Sequence, residues 1–165
     1  FNGKHLIIEI KYGRHFEEAG LDAVEAVAQS LERSDVQERD VRITLECFEF
    51  GILRRAKERI GSAAKYVFLT APDMLPEGFT ALTDALLDEI AQTFDGLSAP
   101  ISMVLGQDLV ARAKERGLTM LTFTARTETA EGSWQDWFAA LAGTGVDGIF
   151  CDQPDLMIET VTGLA

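Results

Sequence analysis

The sequence is poor in the residues that mark disulfide scaffolds, metal clusters and membrane spans. Its 165 residues contain two cysteines, Cys47 and Cys151, too few for a disulfide framework or a metal-ligand motif. We expect both to be buried free thiols. No apolar run approaches the ~20 residues that a membrane-spanning helix needs. The sequence therefore predicts a chain that does not cross a bilayer.

Positive charge and histidine are also scarce. The 15 Lys and Arg stand against 27 Asp and Glu, which gives a net charge of −12 at pH 7. Nucleic acids and anionic membranes are bound by clustered Lys and Arg, so the charge disfavours both as partners. His5 begins a predicted strand, and His15 lies in a predicted loop without an Asp or Cys partner at motif spacing. General acid-base catalysis has no obvious carrier here.

The chain does contain enough apolar material for a core, with 47% hydrophobic and 25% charged residues. This length fits one domain, and we predict a single domain over residues 1–165. The chain begins at Phe1 rather than Met, and no signal-peptide pattern follows. We therefore expect further ordered residues of the same protein before Phe1.

Apolar spacing alternates between strand and helix along the chain. A polar turn is predicted after Lys11, and Gly117 and Pro154 are predicted to end one helix and begin another. The predicted strands cover residues 5–11, 40–48, 65–70, 95–98, 118–125 and 145–152. The predicted helices cover residues 21–31, 51–60, 79–90, 107–116 and 134–141, with a last short helix from 154.

Strict alternation of strands and helices predicts an α/β fold with a parallel sheet covered by helices, because each parallel pairing needs a crossover. An open doubly wound sheet and a closed barrel both satisfy this pattern. No glycine-rich phosphate loop follows a strand, which weakens the nucleotide-binding form of the first. Six strands are too few for a complete eight-stranded barrel.

In both architectures, sites form at the carboxyl ends of the strands. Glu9 and Lys11 share one face of the first strand, where a carboxylate and an ammonium must be paired, hydrated or bound to a ligand. They form either a solvated ion pair or part of a site. The other strand ends contribute the remaining candidates: Glu46, Phe48, Thr70, Ser98, Phe123, Arg126 and Asp152.

Carboxylates that converge with a lysine could hold a hard divalent cation and, through it, a phosphate. Each candidate also has a structural alternative. Glu46 could pair with a neighbouring Lys or Arg, and Asp152 could cap the last helix. Phe123 could belong to the core, and Arg126 could be a solvated loop residue.

Four segments resemble the glycerophosphodiester phosphodiesterase family, in the family's order and at plausible spacing. Ile8 to Lys11 is similar to the family's Ile-Glu-Ile-Lys strand, and Glu46 to Glu49 falls where the family has Ser-Phe. Residues 121–128 resemble the Tyr-Thr-Phe-Arg-x-Glu segment of the longer, often periplasmic branch. Residues 145–154 resemble the closing Gly-Val-Asp-Gly-Ile-Phe-x-Asp-x-Pro.

The resemblance implies a (β/α)8 TIM barrel to which this chain contributes about strands 3 to 8. It implies Glu9 as a metal ligand, Lys11 as the catalytic phosphate contact, and Phe123 and Arg126 as substrate-binding residues. Cys47 stands where the family usually has Ser. The family's His-Arg-Gly, Glu-x-Asp and His-Asp motifs, which supply the acid-base histidines and most metal ligands, do not occur in these residues.

The implied function is cleavage of a small-molecule glycerophosphodiester to an alcohol and glycerol 3-phosphate with Ca²⁺ or Mg²⁺. The chain alone is then expected to be inactive. The alternatives are a non-catalytic binding or scaffold barrel, in which Glu9 and Lys11 are a retained ion pair, and a related metal-dependent phosphodiesterase of the phospholipase type. Localisation stays open: periplasmic or secreted in the long branch, cytoplasmic otherwise.

Overall fold

The computed structural model describes residues 3–34 and 40–163, so Phe1 lies outside the described residues. The strands are β1 (His5–Glu9), β2 (Arg42–Cys47), β3 (Lys65–Leu69), β4 (Gly96–Pro100), β5 (Thr119–Ala125) and β6 (Gly148–Cys151). The helices are α1 (Gly13–Glu18), α2 (Ala23–Arg33), α3 (Phe50–Ile60), α4 (Asp84–Thr93), α5 (Ile101–Val104), α6 (Leu109–Glu115), α7 (Trp134–Ala142) and α8 (Pro154–Gly163).

The six strands form one parallel sheet in chain order, from β1 to β6. Within the described ranges, β1 and β6 do not pair with each other, so the sheet is a curled half-barrel with two free edges. This arrangement confirms the predicted parallel α/β class and corresponds to an incomplete TIM-like barrel. No helix in this part of the chain is long and apolar enough to span a membrane.

The main core lies between the sheet and the helices. Leu45 and Cys47 of β2 and Phe68 of β3 point into it, together with apolar residues of α3 and α4. Because side chains alternate in a strand, Glu46 points to the opposite, concave face. The prediction of a buried thiol is confirmed for Cys47, but it is wrong for Cys151, which is only half-buried at the end of edge strand β6.

Two aspartates link neighbouring strands by hydrogen bonds at the amino-terminal edge of the sheet. Oδ2 of Asp95 accepts a hydrogen bond from the backbone N–H of Tyr66 at 3.0 Å. Oδ2 of Asp147 accepts one from the N–H of Met120 at 2.8 Å. Each carboxylate thereby links the start of one strand to its neighbour.

The predicted elements differ from the structure in several places. Strand β1 ends at Glu9, so Lys11 follows the strand instead of belonging to it, and β6 begins at Gly148 instead of residue 145. The predicted turn after Lys11 is the short helix α1, so His15 lies on a helix and not in a loop. The helix predicted from residue 79 begins at Asp84, because the Thr83 hydroxyl accepts the N–H of Leu86 and caps it there. The short helix α5 was not predicted. Gly117 follows α6 at φ 74°, and α8 begins at Pro154, as predicted.

Candidate functional site

A cavity of about 450 Å³ lies at the carboxyl ends of the strands, on the concave side of the sheet. This is where a parallel sheet places its functional side chains. Thr70 and Ser98, two of the predicted candidates, are fully buried and do not line it. The lining residues are Glu9, Lys11, Glu46, Phe48, Leu69, Phe123, Thr124, Phe150, Cys151 and Asp152.

Glu9 and Lys11 form an ion pair at one wall of this cavity. The distance from Lys11 Nζ to Glu9 Oε2 is 3.3 Å, and the side chains are 64% and 30% exposed, respectively. An exposed pair of this kind contributes little to stability, because water screens both charges. The pair is solvated and also lines the cavity, so both alternatives of the sequence analysis stay open.

Glu46 is the buried carboxyl group of the site. It is 3% exposed, and its Oε1 atom has no hydrogen-bond partner in the described part of the chain. Burial raises the pKa of Glu46 to about 7, and the negative charge of Glu9 adds to the increase. The alternative of an ion pair with a neighbouring Lys or Arg is wrong for the residues that the structure describes.

Aromatic side chains form another wall. The rings of Phe48 and Phe123 meet edge to face, with centroids 5.9 Å apart and an angle of 84° between the planes. Phe123 is half-buried and lines the cavity instead of packing in the core. An apolar wall opposite charged groups suits a ligand with a carbon skeleton and an anionic end.

Arg126 lies just after β5 and outside the cavity lining. Its Nε donates a hydrogen bond of 2.6 Å to Oδ2 of Asp152, and both side chains are about half-exposed. Asp152 does line the cavity. The structure thus brings Arg126 to the rim through its pairing with Asp152, and the expected contact with a substrate stays a prediction.

A second cavity of about 230 Å³ shares Glu9 and Lys11 with the first. Its other walls include Tyr12 and Met74, which sequence reasoning missed because both lie in irregular segments without a periodic signal. Glu49 also lines it, and its carboxylate accepts the first backbone N–H groups of α1, from Gly13 at 2.7 Å and Arg14 at 2.9 Å.

The histidines lie away from the cavity. Nε2 of His5 is 2.8 Å from Oγ1 of Thr44, at the amino-terminal end of β1. His15 is exposed on α1. Within residues 3–34 and 40–163, no group of three or more His, Cys, Asp or Glu is placed to hold a metal ion. The described cavity brings together three carboxyl groups, one ammonium group and an aromatic wall.

Comparisons with known proteins identify a family and similar solved structures. The model of the glycerophosphoryl diester phosphodiesterase family matches residues 2–156. A crystal structure from Silicibacter pomeroyi DSS-3, of a protein provisionally named a glycerophosphoryl diester phosphodiesterase, superposes with a TM-score of 0.74 at 23% sequence identity. The match covers 97% of this chain and 50% of that one, so this chain spans half the length of that protein. A search of curated proteins finds no match.

Proposed function

The chain belongs to the glycerophosphoryl diester phosphodiesterase family, and we propose that the protein containing it hydrolyses glycerophosphodiesters to an alcohol and glycerol 3-phosphate. We propose that the reaction uses a divalent cation, Ca²⁺ or Mg²⁺. One observation supports this best: Phe123, which is far from Glu9 and Lys11 in sequence, lines one cavity with both of them at the carboxyl ends of the strands. A carboxylate, an ammonium group and an aromatic ring match the metal, phosphate and glycerol parts of the reacting complex.

The residues of the cavity suit a hard cation, because their charged oxygen donors are carboxylates. In this proposal Glu9 is a metal ligand, and its partly exposed carboxylate lines the cavity. When bound, the cation would supply positive charge that polarises the phosphodiester. Glu9 would hold that charge at the wall next to Lys11, within reach of the same substrate group.

Lys11 is proposed to stabilise the negative charge that grows on the phosphate oxygens during cleavage. Its ammonium group is 3.3 Å from Glu9, and its side chain is 64% exposed. A side chain held only by a solvated ion pair can exchange that partner for a phosphate oxygen at little cost. Lys11 can therefore contact substrate without breaking a buried interaction.

Phe123 is proposed to pack against the glycerol carbons and to exclude water from that side. Arg126 is proposed to contact the substrate from the rim, which requires it to leave Asp152. Because both members of the Arg126–Asp152 pair are about half-exposed, exchanging Asp152 for a substrate group should cost little free energy. These two roles depend on the cavity wall and the ion pair described above.

We also propose that the six strands correspond to strands 3 to 8 of an eight-stranded barrel, and that the acid-base histidines lie on the other two. His5 and His15 do not line the cavity. Residues 1–165 alone should therefore not release glycerol 3-phosphate from glycerophosphocholine in a colorimetric assay with Ca²⁺ or Mg²⁺. The complete protein is the positive control, and clear turnover by the 165-residue chain would contradict the proposal.

A non-catalytic binding barrel is the second candidate, and the observed Glu9–Lys11 ion pair favours it. The substitution Glu9→Gln in the complete protein separates the two. If Glu9 holds the metal, metal-dependent turnover should fall by about 10²-fold or more while the melting temperature stays near that of the parent. Loss of thermal stability without a specific loss of turnover would support the binding barrel. Glu58→Gln, an exposed change on α3, is the matched control.

A further inference from the structure

Glu9 and Glu46 are direct neighbours across the first two strands of the sheet. Glu9 is the register partner of Glu46 in the parallel β1–β2 pair. Register partners on adjacent strands lie about 4.8 Å apart and project their side chains to the same face. Both residues line the 450 Å³ cavity. The fold therefore aims two carboxyl groups at one place.

Among the residues that the structure describes, Glu46 has no positively charged partner. The side chain is 3% exposed, and its Oε1 atom accepts no hydrogen bond within the described residues. In that part of the chain, no Lys, Arg or His nitrogen lies within 4.0 Å of its carboxyl oxygens, although thirteen such ion pairs form elsewhere. A buried carboxyl group without a partner is costly, so such groups are usually paired or coordinate a metal.

Lys11 does not meet this need. Its Nζ lies 3.3 Å from Glu9, and most of the side chain is in solvent. The ammonium group of Lys11 carries one positive charge and is largely hydrated. It therefore cannot neutralise Glu9 and Glu46 when both carboxyl groups are ionised. A divalent cation between Glu9 and Glu46 would neutralise both, and it would release Lys11 from Glu9.

We propose that Glu46 is a second carboxylate ligand, together with Glu9, of a divalent cation bound in this cavity. The proposal rests on the proposed function in taking Glu9 as a metal ligand, and it adds a residue from the next strand. Ca²⁺ and Mg²⁺ are the cations that carboxylate oxygens suit. Because the cation would occupy Glu9, the ammonium group of Lys11 would become free for an anionic substrate.

Direct cation binding tests this assignment. The complete protein is stripped with EDTA, and CaCl₂ or MgCl₂ is then titrated into it by calorimetry, for the parent, Glu46→Gln and the control Glu58→Gln. Replacing a ligand should weaken cation binding by at least about tenfold. Glu58→Gln, on the exposed face of α3, should leave the Kd unchanged. A Glu46→Gln Kd within about twofold of the parent value would overturn the proposal.

A second variant keeps the test decisive if Glu46→Gln does not fold. Glu46→Asp retains the carboxylate but withdraws it by one methylene, so it should bind the cation more weakly than the parent. Parent-like affinity in a folded Glu46→Asp protein would overturn the proposal, since a ligand withdrawn by one methylene cannot keep the same contact.

Glycerol 3-phosphate release, measured on the same samples, separates this inference from the proposed function. Turnover together with unchanged cation affinity in Glu46→Gln would refute the role of Glu46 and leave the hydrolase in place. Cation binding that depends on Glu46, in a protein that releases no glycerol 3-phosphate, would refute the hydrolase and support the cation site.

Discussion

Glu46 affects both the chemistry of the cavity and the stability of the fold. Its strand is buried on both faces except at the first residue, and the helix-facing neighbours Leu45 and Cys47 are fully buried. An apolar side chain at position 46 would fit this strand at lower cost. The sheet thus carries a carboxyl group whose ionisation opposes folding.

We predict that Glu46→Gln changes the pH dependence of stability in the metal-free protein. The folded-state pKa of Glu46 is raised to about 7 from 4.5. Below pH 4.5 the group is protonated in both states, so the variant and the parent should be about equally stable. As pH rises from 4.5 to 7, Glu46 loses its proton first in the unfolded state. The free energy of unfolding of the parent should therefore fall by about 3 kcal/mol over this range, whereas that of the variant should not.

Urea unfolding of both proteins in EDTA, from pH 4.5 to 8, measures this difference. Glu58→Gln serves as the control, because its side chain is exposed on α3 and no pH-dependent gain is expected. If the free energies of unfolding of Glu46→Gln and the parent change in parallel over this pH range, the ionisation cost does not come from Glu46.

At the scale of elements, periodicity predicted most of the sheet and most helices. The residues of β3 and β5 were predicted almost to their ends, because both segments are rich in apolar residues that favour strands. The positions of Phe79 and Leu82 were misleading: they pack on the core from a loop, so apolar spacing there reports burial and not a helix. Helix α1 was missed because contacts distant in sequence hold it, mainly the Glu49 carboxylate.

Some residues of the cavity could also be predicted from the sequence. Parallel topology places strand ends together, so Glu9, Glu46 and Phe123 could be named from their positions in the strands. Ser98 occupies an equivalent position but is fully buried. Sequence position cannot tell how far each strand extends past its neighbour, because register depends on tertiary contacts such as that of Asp95 with Tyr66.

We predict that Gly96 is required at the start of β4 because of close strand packing. A Cβ atom there would lie 2.7 Å from the carbonyl oxygen of Thr119 and 3.1 Å from Cγ2 of Val67. Because the backbone of Thr119 cannot move away easily, Gly96→Ala should lower the free energy of unfolding by about 1–3 kcal/mol.

The matched control is Gly51→Ala on α3, where a Cβ atom meets nothing within 4 Å. Alanine favours helix over glycine, so this change should raise stability by roughly 0.5 kcal/mol. Urea denaturation of both variants checks the pair. Equal effects of the two substitutions would show that packing against Thr119 does not set the requirement at position 96.

At the scale of the whole molecule, the half-barrel leaves β1 and β6 with one neighbour each in the described part of the chain. An unpaired strand edge is a template for association with another chain, and proteins usually blunt it with charge. The edge strand β6, Gly148–Cys151, has no charged residue. On the concave face, Phe123 and Phe150 are only half-buried.

We therefore predict that residues 1–165, prepared alone, self-associate at micromolar concentration, whereas the complete protein does not associate through this edge. Sedimentation velocity measures the size distribution. The net charge of −12 opposes contact between copies, so association should increase when salt screens that repulsion. The variant Phe150→Glu places a negative charge on the exposed edge strand, which adds to the repulsion between copies and should restore monomers. A 165-residue chain that stays monomeric at high salt would show that β6 is protected by contacts other than strand pairing.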